Sequence, residues 1–333
     1  MVLPPTQKLW VVQPHSTAAL SAPRSAAPFF LKVFSQKKSS GSMYGDILFR
    51  IFTDLDPFEL FACMLVNTEW CSLARDAYAA SSTKVACETG ALERAIRVAK
   101  RGATLLLHPG RYRVLAECRI TIPLKICAIS SGSQVPAPCI SCASLVVFRV
   151  HTSFVLQGVT VEGGTVGWQS GAIVSVRCGA VFISDCTILS TGQNPIDTCT
   201  GIWVGARSHV QITRCNISCG IRIGIIVFHG TLYATYCNIR TVDGVVALGG
   251  HVLVSHNTIE ADQYGVVSCS NTTLQVNNNK IHAKRCVAVK TGGEFYVTDN
   301  HLYSSIDGPP IQVPLRIEDA SAVRRNYWYR CDV

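Results

Sequence analysis

A repeated pattern of apolar residues fills the second half of the chain, and it limits the fold more than any other feature of the sequence. One position of the repeat recurs every 20 to 29 residues, and this position, called the column here, consists of Val159, Cys186, Cys215, Cys237, Asn257, Asn279 and Asn300. Apolar residues lie five and three positions before each member of the column and two positions after it. A further apolar strand is predicted in the last six repeats, beginning at Gly171, Gly201, Gly224, Gly244, Gly265 and Cys286.

The length of this repeat predicts a right-handed parallel β-helix with three strands in each coil. Each strand pairs with its equivalent in the next coil, about 4.8 Å away. Connections between parallel strands are right-handed. Alternate side chains point inward and stack on their equivalents, so the asparagines of the column are expected to form a hydrogen-bonded ladder. Because Gly, Val and Ile are plentiful and strong helix formers are scarce, the chain is predicted to be mainly β.

The cysteines of the repeat are predicted to be reduced residues of the core. Cys186, Cys215 and Cys237 follow one another in the column, within reach of disulfide formation, but we expect free thiols in a reducing compartment. The first apolar stretch, over residues 9–12, is too short for a secretion signal. The single CxxC at residues 139–142 has no second pair of ligands, so no metal site is predicted.

A helical pattern precedes the repeat at residues 88–101, where one face carries Ala91, Leu92, Ala95, Ile96 and Ala99. A buried strand and the turn Pro109-Gly110-Arg111-Tyr112 follow it. A helix, a strand and a turn in this order resemble the opening of pectin-lyase-like β-helices. The β-helix is therefore predicted to span residues 83–333, with a capping helix at 88–101 and the segment from Pro309 to Tyr329 covering the last coil.

Residues 43–82 follow a different, helical pattern. The apolar residues of the segment 46–55 lie on one face of an amphipathic helix, and Pro57 suits the first turn of a second helix. The pattern resembles an F-box over nearly the whole motif, with Met43 and Tyr44 where the family usually has Leu-Pro, although any small helical hairpin gives part of it. The resemblance implies that a Skp-type adaptor binds Ile47, Leu48, Ile51, Phe52, Leu55, Pro57, Leu60, Leu65, Val66 and Trp70.

Residues 1–42 are rich in Ser, Ala and Pro and show no periodicity. Their charged residues are all basic, namely Lys8, Arg24, Lys32, Lys37 and Lys38. This composition predicts a disordered basic tail, and an organelle transit peptide is the alternative.

Many β-helix proteins act on polysaccharides, so the outer face of the predicted coils has to be considered as a place for catalytic groups. Such enzymes need clustered carboxylates on one outer face, as an acid–base pair or as calcium ligands. The position just before the column carries Asp185, Arg214, Tyr236, His256, Asn278 and Asp299. An active site there would use Asp185, Arg214 and His256, but we interpret the row as a solvated turn. The chain is therefore predicted to have no catalytic residue, metal or cofactor, and not to be an enzyme.

A second outward row lies four positions before the column. It consists of Val155, Phe182, Gln211, Tyr233, Leu253, Gln275 and Tyr296. Exposed aromatic and aliphatic side chains on a sheet are typical of protein contacts, so Phe182, Tyr233, Leu253 and Tyr296 are predicted to form a target-binding face. The alternative is that a loop, the tail or the F-box module covers this row.

An F-box followed by a pectin-lyase-like β-helix resembles intracellular F-box proteins with CASH-type repeats. That resemblance implies the substrate receptor of an SCF-type ubiquitin ligase in the cytoplasm or nucleus, with a Skp-type adaptor, a cullin scaffold and an unknown target protein as partners. The net charge of +9 forms no arginine-rich stripe, and no apolar run reaches the length of a membrane span, so neither nucleic acid nor membrane is expected as a partner. The alternative function is a carbohydrate-binding or carbohydrate-active β-helix with an accidental F-box match.

Overall fold

The structure is a computed structural model that describes residues 82–129, 136–144, 146–164, 171–190, 199–218, 221–270, 272–290, 293–306, 309–313 and 322–330. The predicted basic tail and the predicted F-box helices lie outside the described residues. The described residues belong to the β-helix and the helix that precedes its repeat.

The described residues form one helix and 26 strands. In chain order the elements are β1 Ser82–Val85, α1 Ala91–Val98, β2 Ala103–Leu107, β3 Arg111–Val114, β4 Cys118–Ile120, β5 Leu124–Ala128, β6 Cys139–Cys142, β7 Phe148–Val150, β8 Phe154–Gln157, β9 Thr160–Gly163, β10 Gly171–Ser184, β11 Thr187–Ser190, β12 Cys199–Thr213, β13 Asn216–Ser218, β14 Ile223–Val227, β15 Thr231–Thr235, β16 Asn238–Ala247, β17 Gly250–Ser255, β18 Thr258–Ser268, β19 Thr272–Asn277, β20 Lys280–Ala283, β21 Arg285–Val289, β22 Phe295–Thr298, β23 His301–Ser304, β24 Ile311–Gln312, β25 Val323–Arg324 and β26 Tyr327–Arg330.

The strands form three parallel sheets, which confirms the predicted parallel β-helix. Sheet 1 contains β1, β2, β5, β8, β10, β12, β15, β17, β19, β22 and β25. Sheet 2 contains β3, β6, β9, β11, β13, β16, β18, β20, β23 and β26. Sheet 3 contains β4, β7, β10, β12, β14, β16, β18, β21 and β24. The long strands β10, β12, β16 and β18 bend from one sheet into another.

The inward positions predicted from the repeat are buried in the structure. The residues three before and two after the column are fully or almost fully enclosed, as shown by Ile183, Ile188, Val254 and Ile281. Each of them lies opposite its equivalent in the next coil, for example Ile188 opposite Ile217. A continuous apolar core therefore follows the axis of the β-helix and provides most of its stability.

The asparagines of the column form the predicted ladder. Oδ1 of Asn279 accepts hydrogen bonds from the backbone amide of Asn257 at 2.9 Å and from Asn257 Nδ2 at 3.0 Å. Asn279 Nδ2 donates to the carbonyl oxygens of Val254 and Asn277, each at 2.9 Å. Asn300 repeats the arrangement one coil further on, and its amide donates to Oδ1 of Asn326 at 3.1 Å. The column thus extends beyond the residues recognised in the sequence.

The cysteines of the column take the same place as the asparagines. The Cys215 thiol lies 3.3 Å from the carbonyl oxygen of Thr213 and 3.5 Å from that of Ile183, the two positions to which Asn Nδ2 donates in later coils. A hydrogen bond with the thiol of Cys186 raises the pKa of Cys215 to about 12. The thiol is therefore protonated at neutral pH and acts as a donor in the turn. The described cysteines form no disulfide with one another.

The helix α1 lies within the segment predicted to be helical, but it is shorter. Ala91 and Leu92 are buried against the β-helix core. The carboxylate of Glu93 accepts hydrogen bonds from the backbone amides of Leu115 and Ala116, which ties the helix to the loop after β3. The apolar face of α1 therefore packs against the first coils.

The C-terminal segment covers the last predicted coil, but it does so as a further coil of the β-helix and not as a separate cap. Its strands β24, β25 and β26 pair in parallel with β21, β22 and β23. The segment thus adds one strand to each of the three sheets, and Asn326 continues the hydrogen-bonded column.

The predicted start of one strand also needs correction. Gly171 lies opposite Cys199, so it is not in line with the glycines that begin the later strands.

Candidate functional site

The outward surface of sheet 1, called the sheet-1 face here, contains the residues predicted to bind a target. The strand register places Phe182, Gln211, Tyr233, Leu253, Gln275 and Tyr296 opposite one another in successive coils. Of these side chains, Phe182 is 39% exposed, Tyr233 45% and Tyr296 50%. Leu253 is half-buried and lies directly beside Tyr233, whereas glutamines separate Phe182 and Tyr296 from that pair. The four predicted residues therefore lie on one line of one surface.

The rows that flank this line are uncharged between residues 180 and 277. One row contains Ala180, His209, Thr231, His251 and Thr273, and the other contains Ser184, Thr213, Thr235, Ser255 and Asn277. His209, Tyr233, His251, Leu253 and Gln275 border a shallow depression in the middle of the face. Hydroxyl, amide and imidazole groups around aromatic rings make a surface that is rich in hydrogen-bonding groups, and the two rows contain no Asp, Glu, Lys or Arg.

The row just before the column is the corner between sheets 1 and 2. The residues of this row other than glycine share a left-handed backbone, with φ from 51° to 58°, and they are Asp185, Arg214, Tyr236, His256, Asn278, Asp299 and Arg325. Residues other than Asn, Asp and Gly rarely adopt this backbone conformation. The backbone amides of the row donate to carbonyl oxygens of the next coil, for example Asp185 to Thr213 at 3.1 Å, and this pairing holds the sharp corner.

Neighbours in this row pair with one another. Arg214 donates from Nε and Nη2 to the two carboxylate oxygens of Asp185 at 2.6 and 2.8 Å, and this hydrogen bonding lowers the pKa of Asp185. The rings of Tyr236 and His256 stack with their centres 5.0 Å apart. The structure thus brings Asp185 and Arg214 together, while His256 lies beside Tyr236 instead. The side chains of this row therefore pair with their neighbours in the next coil and do not form the predicted group of Asp185, Arg214 and His256.

A second cluster of exposed rings lies on sheet 2, and the sequence analysis missed it. This cluster, called the sheet-2 ladder here, has one row of Lys280, His301 and Tyr327 and a second row of His282, Tyr303 and Tyr329. The rings of His282 and Tyr303 stack 4.1 Å apart, and those of Tyr303 and Tyr329 stack 4.6 Å apart. A comparison of the residues one and three positions after the column would have revealed it.

Metal-ligating side chains are not grouped in the described part of the chain, where no cluster of three or more His, Cys, Asp and Glu could hold an ion. The cysteines of the CxxC make separate contacts, since Cys139 lies 3.4 Å from the Glu162 carboxylate and Cys142 lies 2.9 Å from the Ser144 hydroxyl. Burial, followed by the contact with Glu162, raises the pKa of Cys139 to about 11. The thiolate form that binds metals is therefore disfavoured there.

The ten residues predicted to bind an adaptor lie outside the described residues. Their assignment depends on sequence similarity. The family model described as the F-box domain matches residues 45–78, which contain all ten. A second model, described as a right-handed beta helix region, matches residues 146–302.

Three solved structures show the range of structural similarity. A PL6 family alginate lyase, AlyGC, is similar with a TM-score of 0.53 and 16% sequence identity, over 74% of this chain and 39% of that chain. A mutant of the same lyase gives a TM-score of 0.46 at 17% identity, over 74% and 39%. ORF18 of Geobacillus virus E2 gives 0.41 at 10% identity, over 79% and 64%. The chain spans about two fifths of the length of the lyase, and no curated protein matches it.

The similarity to the lyase corrects one prediction. The prediction that the chain is not an enzyme is wrong, because the same β-helix architecture occurs in an alginate lyase. At 16% identity the similarity shows the fold alone. The lack of a recognised carboxylate cluster in the sequence therefore does not exclude activity.

The fold and the matched segments define the class of protein. The chain is a right-handed parallel β-helix preceded by a segment that matches the F-box domain. Within the described ranges, no helix has the length and apolarity needed to cross a membrane.

Proposed function

We propose that the chain is the substrate-recognition subunit of an SCF-type ubiquitin ligase. The F-box segment docks a Skp-type adaptor, which connects the chain to a cullin scaffold, and the β-helix binds the target protein. The ligase then acts by proximity, because it raises the effective concentration of target lysines near the charged ubiquitin carrier. The cytoplasm or nucleus is the expected compartment.

The observation that carries this proposal is the F-box match over residues 45–78. F-box domains generally bind Skp-type adaptors. The apolar residues Ile47, Leu48, Ile51, Phe52 and Leu55 recur with the spacing of one helix face. An amphipathic helix that places such a face in a partner's groove is a common mode of recognition.

The sheet-1 face supports the assignment of target binding to the β-helix. Phe182, Tyr233 and Tyr296 expose aromatic surface on a line of otherwise uncharged polar residues. Aromatic residues are enriched and charged residues depleted at the centres of protein interfaces. We therefore assign the target to this face, with Phe182, Tyr233, Leu253 and Tyr296 as its anchors.

Co-purification with a Skp-type adaptor and a cullin tests the proposal. The full chain should retain both proteins, and a Leu48→Ala/Trp70→Ala double variant should lose both. A Tyr233→Ala/Tyr296→Ala variant is the matched control, since it removes an equal number of large side chains from the β-helix and should retain the adaptor. If the wild-type chain binds no adaptor, the proposal fails.

A second candidate function is carbohydrate binding or carbohydrate cleavage, and the fold shared with an alginate lyase favours it. Incubation of the chain with a panel of acidic and neutral polysaccharides, with and without calcium, tests this candidate. Binding or shortening of one polysaccharide would support it. Failure across the panel, together with adaptor binding, would leave the ligase subunit as the function.

A further inference from the structure

The sheet-2 ladder is a second candidate binding surface on the β-helix, on a different sheet from the sheet-1 face. Lys280, His301, Tyr327 and Tyr329 are exposed, and His282 and Tyr303 are half-buried. Their strands β20, β23 and β26 pair in register, so the two rows of the ladder cross three successive coils. The six side chains thus form one continuous area of sheet surface.

The rings of the ladder present their edges to solvent. His282 and Tyr303 are nearly parallel, at 4°, and Tyr303 and Tyr329 are inclined by 13°. His301 stacks between coils in the same way, 4.9 Å from Tyr327. Because the faces of these rings cover one another, the outward surface consists of ring edges, which carry the positive part of the aromatic quadrupole, and of phenol and imidazole groups.

The charge of the surface has the same sign as the ring edges. The Lys280 ammonium lies over the Tyr303 ring at 5.5 Å from its centre. Glu260 lies opposite His282 in the preceding coil and is in an ion pair with Arg240 at 2.9 Å. Asp299, two residues before His301, is in an ion pair with Arg325 at 2.9 Å. Burial, followed by the neighbouring Lys280, lowers the pKa of His282, and the Glu260 carboxylate acts in the opposite direction. The ladder therefore favours an anionic ligand.

The spacing of the rows fits an extended polypeptide. Lys280 and His282, like His301 and Tyr303, are two residues apart on one strand, which corresponds to about 6.8 Å. Alternate side chains of an extended segment have the same separation. We propose that the sheet-2 ladder binds an extended protein segment with acidic side chains at alternate positions, one carboxylate meeting the Lys280 row and the next meeting the His282 row.

The exposed ring edges argue for a peptide over a sugar or a nucleic acid. Bases bind proteins by stacking on open aromatic faces, and here His282 and Tyr329 both stack on the ring of Tyr303, in the middle of the ladder. Phenol and ammonium groups at ring edges instead donate hydrogen bonds to carboxylates. This inference does not depend on the proposed ligase function, since neither the adaptor nor the sheet-1 face takes part.

Fluorescence anisotropy with the full chain tests the inference. The probe is a short fluorescein-labelled peptide that alternates Glu and Thr, and the reference is the same peptide with Gln in place of Glu. The Glu peptide should bind more weakly as salt rises, and the Gln peptide should not bind. Equal binding of the two peptides, or no binding of the Glu peptide, overturns the inference.

Three variants locate the binding. Lys280→Glu should weaken binding of the Glu peptide roughly tenfold or more, because the charge at this position then repels the peptide. Tyr329→Phe keeps the stacked ring and removes one hydroxyl, so it should weaken binding by about two- to tenfold. Lys100→Glu makes the same charge change on an exposed residue near α1 and should leave binding unchanged. An equal loss in Lys100→Glu, or preferential binding of polygalacturonate or oligothymidylate at the ladder, overturns the inference.

Discussion

At the scale of single residues, Asn and Cys perform related tasks in one column. Oδ1 of Asn279 accepts two hydrogen bonds from Asn257, and Nδ2 of Asn279 lies within hydrogen-bond distance of oxygens of Val254, Asn277 and Asn300. Cys215 reaches the equivalent carbonyl oxygens with its thiol, but sulfur is a weaker donor and acceptor than an amide. The change from Cys to Asn along the chain therefore strengthens the corner in the later coils while the volume of the column changes little.

Asn279→Ala should destabilise the β-helix by about 2 to 4 kcal/mol, because it leaves buried amide and carbonyl groups without partners. Asn279→Cys is the matched variant, since it places in this coil the side chain that the column carries at Cys215. Asn279→Cys should lower the free energy of unfolding by clearly less than Asn279→Ala does. Urea unfolding followed by circular dichroism measures both, and equal losses would contradict the equivalence of thiol and amide.

The ion pair between Asp185 and Arg214 should give a small, pH-dependent contribution to stability. Arg214 lowers the pKa of Asp185 in the folded state, so the contribution is present above the unfolded pKa of about 3.9 and disappears as pH falls through the folded value. Asp185→Asn retains a residue that tolerates the left-handed backbone and removes only the charge. Its melting temperature should lie slightly below that of the wild type at pH 7, and the difference should shrink as pH falls below about 3.9. A difference that does not shrink on acidification would exclude the ion pair as its cause.

At the scale of elements, glycines permit the tight entry into the strands of sheet 3. Gly201, Gly224, Gly244 and Gly265 follow one another in successive coils. A Cβ on Gly244 would lie 2.3 Å from the carbonyl oxygen of Gly265 and 2.7 Å from Ile259 Cγ2. The stack of coils closes at this corner only because no side chain is present.

Gly244→Ala should therefore destabilise the chain by about 1 to 3 kcal/mol or more, as expected for an overpacked site. Gly158→Asn is the control, because Gly158 has a φ of 71° in the corner row where Asn278 already has a φ of 55°. Gly158→Asn should lower the stability of the chain by much less than Gly244→Ala does. Thermal unfolding of both variants checks this prediction, and equal losses would mean that any glycine replacement is harmful.

The sequence predicted the elements that repeat and missed those that depend on neighbouring coils. The inward positions around Cys186 and Asn257 were predictable, because stacking selects one kind of residue for each column. The left-handed backbone at Arg214 and Tyr236 was not, because neither residue favours it and the pairing of the next coil imposes it. Asn326 was missed because the polar Ser321 stands five positions before it, where the other members of the column have an apolar residue.

At the scale of the whole molecule, adaptor binding and target binding are proposed to reside in different parts of the chain, so the two should be separable. Tyr233→Ala/Tyr296→Ala should keep adaptor binding and lose the target proteins, and Leu48→Ala/Trp70→Ala should do the reverse. Affinity purification of each variant from cells, followed by mass spectrometry of the retained proteins, measures both properties. If either double variant lost the adaptor and the target proteins together, the proposed division of tasks would be wrong.

The affinity of the purified chain for a purified Skp-type adaptor tests the central proposal most directly. Isothermal titration calorimetry should show a one-to-one complex for the wild type and for Tyr233→Ala/Tyr296→Ala, and no complex for Leu48→Ala/Trp70→Ala. Matching thermal unfolding of the β-helix in all three proteins would show that the loss is local. A wild-type chain that gives no heat of binding, or a double variant that binds as tightly as the wild type, would contradict the assignment of the F-box segment as an adaptor-binding element.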